Sequence, residues 1–96
     1  MKAPAKIDGA EILQYLIIDS SHKFTEQTKH YKKGELIKPM YALAICTYNE
    51  EEGFYLFGCN DEWESITDTF HDTVKDAMHQ AEFEYSGTTN SWIKVN

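Results

Sequence analysis

Dense apolar runs separated by polar turns predict a β-meander in the middle of this chain. The runs from Met40 to Tyr48 and from Phe54 to Phe57 are rich in β-branched and aromatic residues, which is typical of buried strands. Residues 49–53 between them are polar and end in glycine, so the two runs are expected to form a hairpin. A second turn at 60–62 leads into an alternating segment from Trp63 to Phe70, which predicts a third strand.

The segment from Glu11 to Asp19 fits two different templates. Its apolar positions match one face of a helix, and Asp8 with the glutamate three positions later would form a capping box. Its density of β-branched and aromatic residues fits a buried strand, which we favour over the helix. The polar residues 20–38 predict a long connection with a short strand near 29–33, and Trp92 to Val95 predicts a last strand at a sheet edge.

The clearest helix signal lies between Thr73 and Gly87. Thr73 predicts an N-cap, Asp76 completes a capping box, and Gly87 predicts the C-terminal stop. A helix from 73 to 85 has an apolar stripe about 100° wide, typical of a face that packs on a core. The stripe consists of Val74, Ala77, Met78, Ala81 and Tyr85. Phe83 falls on the opposite side close to Asp76, which predicts either a covered aromatic or an interface anchor.

Together these elements predict an α+β fold, in which an antiparallel sheet of about four to five strands carries one C-terminal helix packed on one face. The 96 residues suffice for one core. Residues 1–9 are polar and contain a proline, so we expect a flexible N-terminal arm, followed by a single domain over residues 10–96.

Two cysteines, Cys46 and Cys59, lie in the two strands of the predicted hairpin. Pairing centred between Glu50 and Glu51 places Cys46 opposite Tyr55, so the two thiols are offset by about 13 Å along the strands. A disulfide requires Cα atoms within about 7 Å. We therefore predict two buried free thiols.

Charge is distributed unevenly along the chain, whose net charge is −7. Eleven of the sixteen acidic residues lie between Glu50 and Ser86, where Lys75 is the one basic residue. The apolar content is too high for a disordered acidic tail, and no apolar run reaches the ~18 residues that cross a bilayer. The chain has no strong basic patch, which argues against direct nucleic-acid binding. We expect a cytoplasmic protein without a membrane partner.

This asymmetry predicts a surface that docks a basic protein partner, or a second copy of the chain, because a negative field steers cationic partners. An immunity protein that blocks a basic toxin and a regulatory adaptor are two forms of this hypothesis. The predicted docking residues are Glu50, Glu51, Glu52, Asp61, Glu62, Glu64, Asp76 and Phe83. The competing interpretation is a solvated surface that only maintains solubility.

The alternative function is a small-molecule or metal-binding domain, with or without enzymatic activity. It would use His22, His30, Asp68 and His71, provided that these side chains converge on one concave site. No zinc, calcium or phosphate-loop motif occurs, and neither cysteine belongs to a C-x-x-C pair. We accordingly predict no cofactor, no metal and no catalytic residue.

Several strings in the chain form a distinctive pattern. They are Gly53 to Phe57, Trp63, Thr67 to Thr73, Ala77, Gln80 to Tyr85 and Gly87, with Ile17 to Asp19, His22 and Thr28 to His30 upstream. This pattern resembles a family of small uncharacterised bacterial proteins over most of the chain, which implies a bacterial protein but assigns no chemistry to any residue. By size and charge alone, the chain also resembles small acidic immunity proteins.

Overall fold

The computed structural model describes residues 3–25, 31–32, 35–36, 40–48 and 52–95. Ten strands and one helix lie within this part of the chain. In chain order they are β1 (Lys6–Ile7), β2 (Ala10–Ile17), β3 (Lys23–Phe24), β4 (Tyr31–Lys32), β5 (Glu35–Leu36), β6 (Ala42–Thr47), β7 (Phe54–Cys59), β8 (Ser65–His71), α1 (Val74–Glu84), β9 (Tyr85–Ser86) and β10 (Ile93–Lys94).

The main sheet is antiparallel and follows the order β1, β2, β6, β7, β8. Strand β10 pairs with β2 as well, so two strands of two residues each lie on the outer side of β2. The sheet is curled, and α1 packs against it. Two small pairs, β3 with β9 and β4 with β5, complete the described elements. The predicted α+β class is confirmed.

The β6–β7 hairpin has the predicted register. Cys46 pairs with Tyr55 and Ala42 pairs with Cys59, so the two cysteines sit four positions apart along the ladder. Both thiols are free and fully buried. Burial raises the pKa of each thiol to about 12, which keeps both protonated and unreactive at neutral pH.

Residues 10–17 form strand β2, which confirms the strand over the helix. Asp8 does not cap a helix, because it occupies the tight turn between β1 and β2 together with Gly9, where φ is 48° at Asp8 and 80° at Gly9. Positive φ at both central residues is typical of a two-residue hairpin turn. Part of the segment predicted as a flexible arm is therefore the paired strand β1, in which Ile7 is buried.

Helix α1 begins after Thr73, whose side-chain oxygen accepts a 3.0 Å hydrogen bond from the Asp76 backbone N–H. The cap is the predicted one. Ala77 and Ala81 are fully buried on the predicted stripe, and their small side chains let the helix approach the sheet closely. The helix differs from the prediction at its end, because Tyr85 is already in extended conformation.

Apolar side chains cover both faces of the sheet. The face under α1 holds Leu16, Leu43, Ile45 and Leu56 together with Tyr85. The opposite face carries a second buried cluster, which contains Ile7, Ile12, Ala44, Cys46, Phe57 and Trp63. Two-sided burial explains why β6 and β7 are apolar at consecutive positions.

Among the residues that the structure describes, no helix combines the length and the apolar character needed to cross a membrane.

Candidate functional site

Strand β8 forms one edge of the main sheet. It is seven residues long and, within the described part of the chain, pairs with β7 alone. At the opposite edge, the two-residue strands β1 and β10 pair with the outer side of β2. Very short edge strands protect a sheet from pairing with other chains, whereas a long edge strand presents a row of backbone donors and acceptors. The two edges therefore differ in their capacity to bind an extended chain.

The pairing register assigns the β8 side chains to two faces. Asp68 lies opposite Phe57, and Phe70 lies opposite Tyr55, so both belong to the face away from the helix. Asp68 is exposed, and 53% of Phe70 is accessible, even though its ring contacts Tyr55 edge-on at 5.2 Å between centroids. Along this face β8 presents a carboxylate and an aromatic ring two residues apart.

The turn at the start of β8 holds three exposed acids, Asp61, Glu62 and Glu64. Asn60 organises it, because its side-chain oxygen accepts hydrogen bonds from the backbone N–H groups of Glu62 at 3.0 Å and Glu64 at 2.9 Å. Its amide nitrogen donates to the Glu64 carboxylate at 2.8 Å. Trp63 has a φ of 62° in this turn and is buried against Tyr15. The acids at this end are therefore held on a fixed loop.

A second group of exposed acids lies at the other end of β8. Asp72 directly follows β8, and Asp76 occupies the first turn of α1. Glu52 lies two residues before Phe54, which begins β7 and pairs with His71 at the end of β8. Glu52 and the Asp61–Glu64 turn lie at opposite ends of β7, about 20 Å apart by strand rise. The predicted docking surface is consequently not one compact patch. Asp68 lies midway along β8, between the two groups of acids.

Phe83 lies near the C-terminal end of helix α1. It follows Asp76 by seven residues, about two turns, so the two side chains project from the same side of the helix. The Asp76 carboxylate is near enough to His71 to oppose the lowering of its pKa. Half of the Phe83 side chain is exposed. The backbone of Phe83 is partly covered, because its carbonyl accepts a hydrogen bond from the Thr25 hydroxyl.

We define the acidic β8 edge as the exposed acidic and phenylalanine residues of β8, of the turns at its two ends and of helix α1. Its members are Glu52, Asp61, Glu62, Glu64, Asp68, Phe70, Asp72, Asp76 and Phe83. Two of the predicted docking residues, Glu50 and Glu51, lie outside the described residues.

Two acids counted in the acidic half of the chain have other roles. Glu84 is buried and accepts a 2.8 Å hydrogen bond from the Gln80 side chain. Glu82 turns toward the chain beyond the helix, where its carboxylate accepts from the backbone N–H of Gly87 at 2.9 Å and of Thr89 at 3.0 Å. The Thr89 hydroxyl donates to it at 2.7 Å. The sequence pattern did not distinguish these structural acids from the exposed ones.

The hydrogen bonds to Glu82, above all the one from the Gly87 backbone N–H, lower its pKa from 4.5 to about 2. A pKa that is lowered on folding stabilises the protein above the unfolded value, and this stabilisation disappears as pH falls through the folded value. We expect Glu82→Gln to lower the melting temperature at pH 7, because the new amide NH₂ group faces N–H donors. The difference from wild type should shrink between pH 4.5 and about 2.

Thermal melts across this pH range test the prediction, with Glu62→Gln as the matched control. Glu62 is exposed in the turn before β8, so its replacement should have little effect on the melting temperature. A constant difference between wild type and Glu82→Gln at every pH would contradict the assignment.

Three members of the alternative ligand site lie in the described part of the chain, His22, Asp68 and His71, and these three do not converge. Asp68 and His71 lie on opposite faces of β8 by register. The His22 side chain is buried beyond the C-terminal end of α1, where its Nε2 lies 2.8 Å from the Ser91 hydroxyl and its Nδ1 accepts a hydrogen bond from the Asp19 backbone N–H. His71 precedes α1, so the length of the helix, about 16 Å, separates the two rings. His30 lies outside the described residues.

His71 adds little positive charge to the acidic β8 edge. Partial burial lowers its pKa, against the opposing effect of nearby Asp76, Glu84 and Asp72, and its Nε2 lies 2.7 Å from the Thr69 hydroxyl. The imidazole is therefore mainly neutral at pH 7. Among the described residues, no group of three or more His, Cys, Asp or Glu side chains is placed to hold a metal ion.

Sequence analysis did not include Phe70 among the docking residues and assigned it only to a strand. The available signal was the alternation in β8, where Asp68 and Phe70 share one face. That signal becomes informative only when β8 is known to be an edge strand.

No protein-family model, no curated protein and no solved structure matches this chain. The resemblance to a family of small bacterial proteins therefore stays a prediction.

Proposed function

We propose that this protein is a small docking domain that binds a basic protein partner through the acidic β8 edge. One observation carries the proposal: exposed carboxylates lie at both ends and at the middle of an edge strand that, among the described residues, has only one paired side. Two half-exposed phenylalanines, Phe70 and Phe83, lie among these acids.

The chemistry of this edge suits a cationic protein. Surface carboxylates raise the association rate of an oppositely charged partner and exclude acidic competitors. Exposed aromatic rings inside a charged rim supply the desolvated contacts that carry most of the binding energy in protein interfaces. The acids would thus provide steering and specificity, while Phe70 and Phe83 would provide affinity.

Two biological forms of this function remain proposals. Size and net charge support a cytoplasmic bacterial immunity protein that occupies the basic surface of a toxin. A regulatory adaptor would use the same edge in the same way. Both forms require a cationic partner that binds less tightly as salt rises, because exposed charges are screened beyond ~8 Å at physiological ionic strength.

Charge reversal on the edge tests the proposal. The double variant Glu62→Lys with Asp68→Lys replaces two exposed carboxylates and should weaken partner binding at least about tenfold, since each attractive contact becomes repulsive. Affinity capture from a lysate of the organism that encodes the protein, at about 0.05 M and about 0.5 M salt, provides the measurement.

A control variant must match the change in net charge. Glu11→Lys with Ser20→Lys and Asn90→Lys adds the same four units of positive charge at exposed positions away from β8. We expect a basic protein to be retained by wild type and by the control, and to be lost from the edge variant. Equal capture by all three folded proteins would refute the docking function of this edge.

A further inference from the structure

The β8 edge is suited to pair with another strand. Ile66, Thr67, Thr69 and Phe70 give it a composition with high β propensity. A register shift between Gly58 and Cys59 places a bulge near Ser65, so regular pairing with β7 runs from Thr67 to His71. A regular stretch of this length presents alternate backbone N–H and C=O groups on its outer side.

Side chains on this strand specify what an added chain must carry. A strand laid along β8 would place its own side chains beside Asp68 and Phe70 on the face away from the helix, two positions apart. An opposite-charge pair and an aromatic–aliphatic pair across strands each contribute about 0.2–1 kcal/mol. The favoured neighbours are therefore a lysine or arginine beside Asp68 and an apolar side chain beside Phe70.

The same geometry disfavours a second copy of this chain. With a two-fold axis at the centre of the whole strand Ser65–His71, an antiparallel pair of β8 strands would bring Asp68 opposite Asp68. It would also place Glu64 near Asp72 at both ends, because these residues are equally far from Asp68 in sequence. Like charges directly opposite each other destabilise a sheet. Charge complementarity instead selects a partner strand that is basic.

We propose that the partner contributes an extended basic segment that adds to the sheet as a strand beside β8. Its backbone hydrogen-bonds to the outer side of β8, its cationic side chain lies beside Asp68, and its apolar side chain lies beside Phe70. This inference rests on the docking function proposed above and specifies how the partner binds.

A designed peptide and its N-methylated forms test the mode of binding. The parent peptide has the sequence Lys-Thr-Val-Thr-Lys-Thr-Val-Thr-Lys, which alternates a face of lysine and valine with a face of threonine. One derivative carries N-methyl groups at the odd positions and the other at the even positions, so all three keep the same charge. Titration followed by amide NMR of the protein gives the affinities and the location of binding.

Strand addition predicts that one N-methylated peptide binds at least about tenfold more weakly than the parent and that the other keeps the parent's affinity, because alternate amides of an added strand face β8. Alternate amides of β8 should also gain hydrogen-exchange protection. Asp68→Lys should weaken the parent peptide several-fold, while Glu11→Lys, an exposed reversal on β2, should leave its affinity within about twofold.

Three results would overturn the inference. Equal binding of all three peptides would exclude strand pairing and would indicate that the peptide binds through its charge alone. If peptide binding does not affect the β8 amides, strand pairing is also excluded. The docking function itself is tested separately, by capture of the intact partner. Dimerisation of the free protein through β8, seen by sedimentation and altered by Asp68→Lys, would identify a second copy as the occupant instead.

Discussion

Replacing Phe57 by alanine is expected to lower the free energy of unfolding by about 3–5 kcal/mol. Phe57 is 3% exposed in the cluster on the sheet face away from the helix, and its ring stacks on Tyr55 at 5.9 Å between centroids. Its removal leaves a cavity that the paired strands β6 and β7 cannot close. Domains of this size have a total stability of about 5–15 kcal/mol, so urea denaturation should show a large loss.

Phe70→Ala is the matched control, because Phe70 contacts the same tyrosine ring but is 53% exposed. Surface substitutions of this kind cost about 0.5–1 kcal/mol, including the lost ring contact. Similar losses for the two variants would contradict the assignment of a second core to the face without a helix. A folded Phe70→Ala protein would also show whether this ring anchors the partner.

Gly87→Ala is expected to destabilise the protein by about 2–4 kcal/mol. Gly87 has a φ of 92°, which side chains with a β-carbon rarely adopt. A β-carbon there would also lie 2.6 Å from the Ser21 carbonyl oxygen. The substitution should therefore separate the chain after α1 from the Ser21 segment and disturb the hydrogen bond from the Gly87 N–H to Glu82.

Gly9→Ala separates the cost of the positive φ from the cost of the close contact with Ser21. Gly9 has a φ of 80°, but a β-carbon there meets nothing closer than a Tyr48 ring carbon at 4.0 Å. Its cost should be that of the backbone conformation alone, about 1–2 kcal/mol. If thermal and urea denaturation give equal losses for the two alanines, the close contact at Ser21 is not a source of the effect.

Local patterns predicted most secondary structure because each signal lies within a few residues. The hairpin between β6 and β7, its register at Cys46 and Tyr55, and the Thr73 cap all follow from short-range periodicity and turn chemistry. The structure of the N-terminal segment did not follow from local pattern, since Asp8 fits both a helix cap and a hairpin turn. Pairing of β1 with the buried strand β2 selected the turn.

The candidate site was only partly predictable. Acid positions are visible in the sequence, but whether a carboxylate is exposed depends on distant partners. Glu84 is buried and Glu82 binds the chain at Gly87, whereas Asp68 is exposed. The distance between Glu52 and the Asp61–Glu64 turn was not predictable either, because it depends on strand β7, which places them at its two ends.

By itself, the sequence determined the α+β class, the central hairpin, the amphipathic helix and the acidic half of the chain. These properties depend on side-chain periodicity and composition, which act locally. Only the tertiary structure decided that β8 is a long edge strand within the described part of the chain, that β1 and β10 pair along the opposite edge, and that Asp68 and His71 point to different faces. Strand order and edge position arise from long-range pairing, in which the chain maximises burial over the whole sheet, and local pattern does not encode that choice.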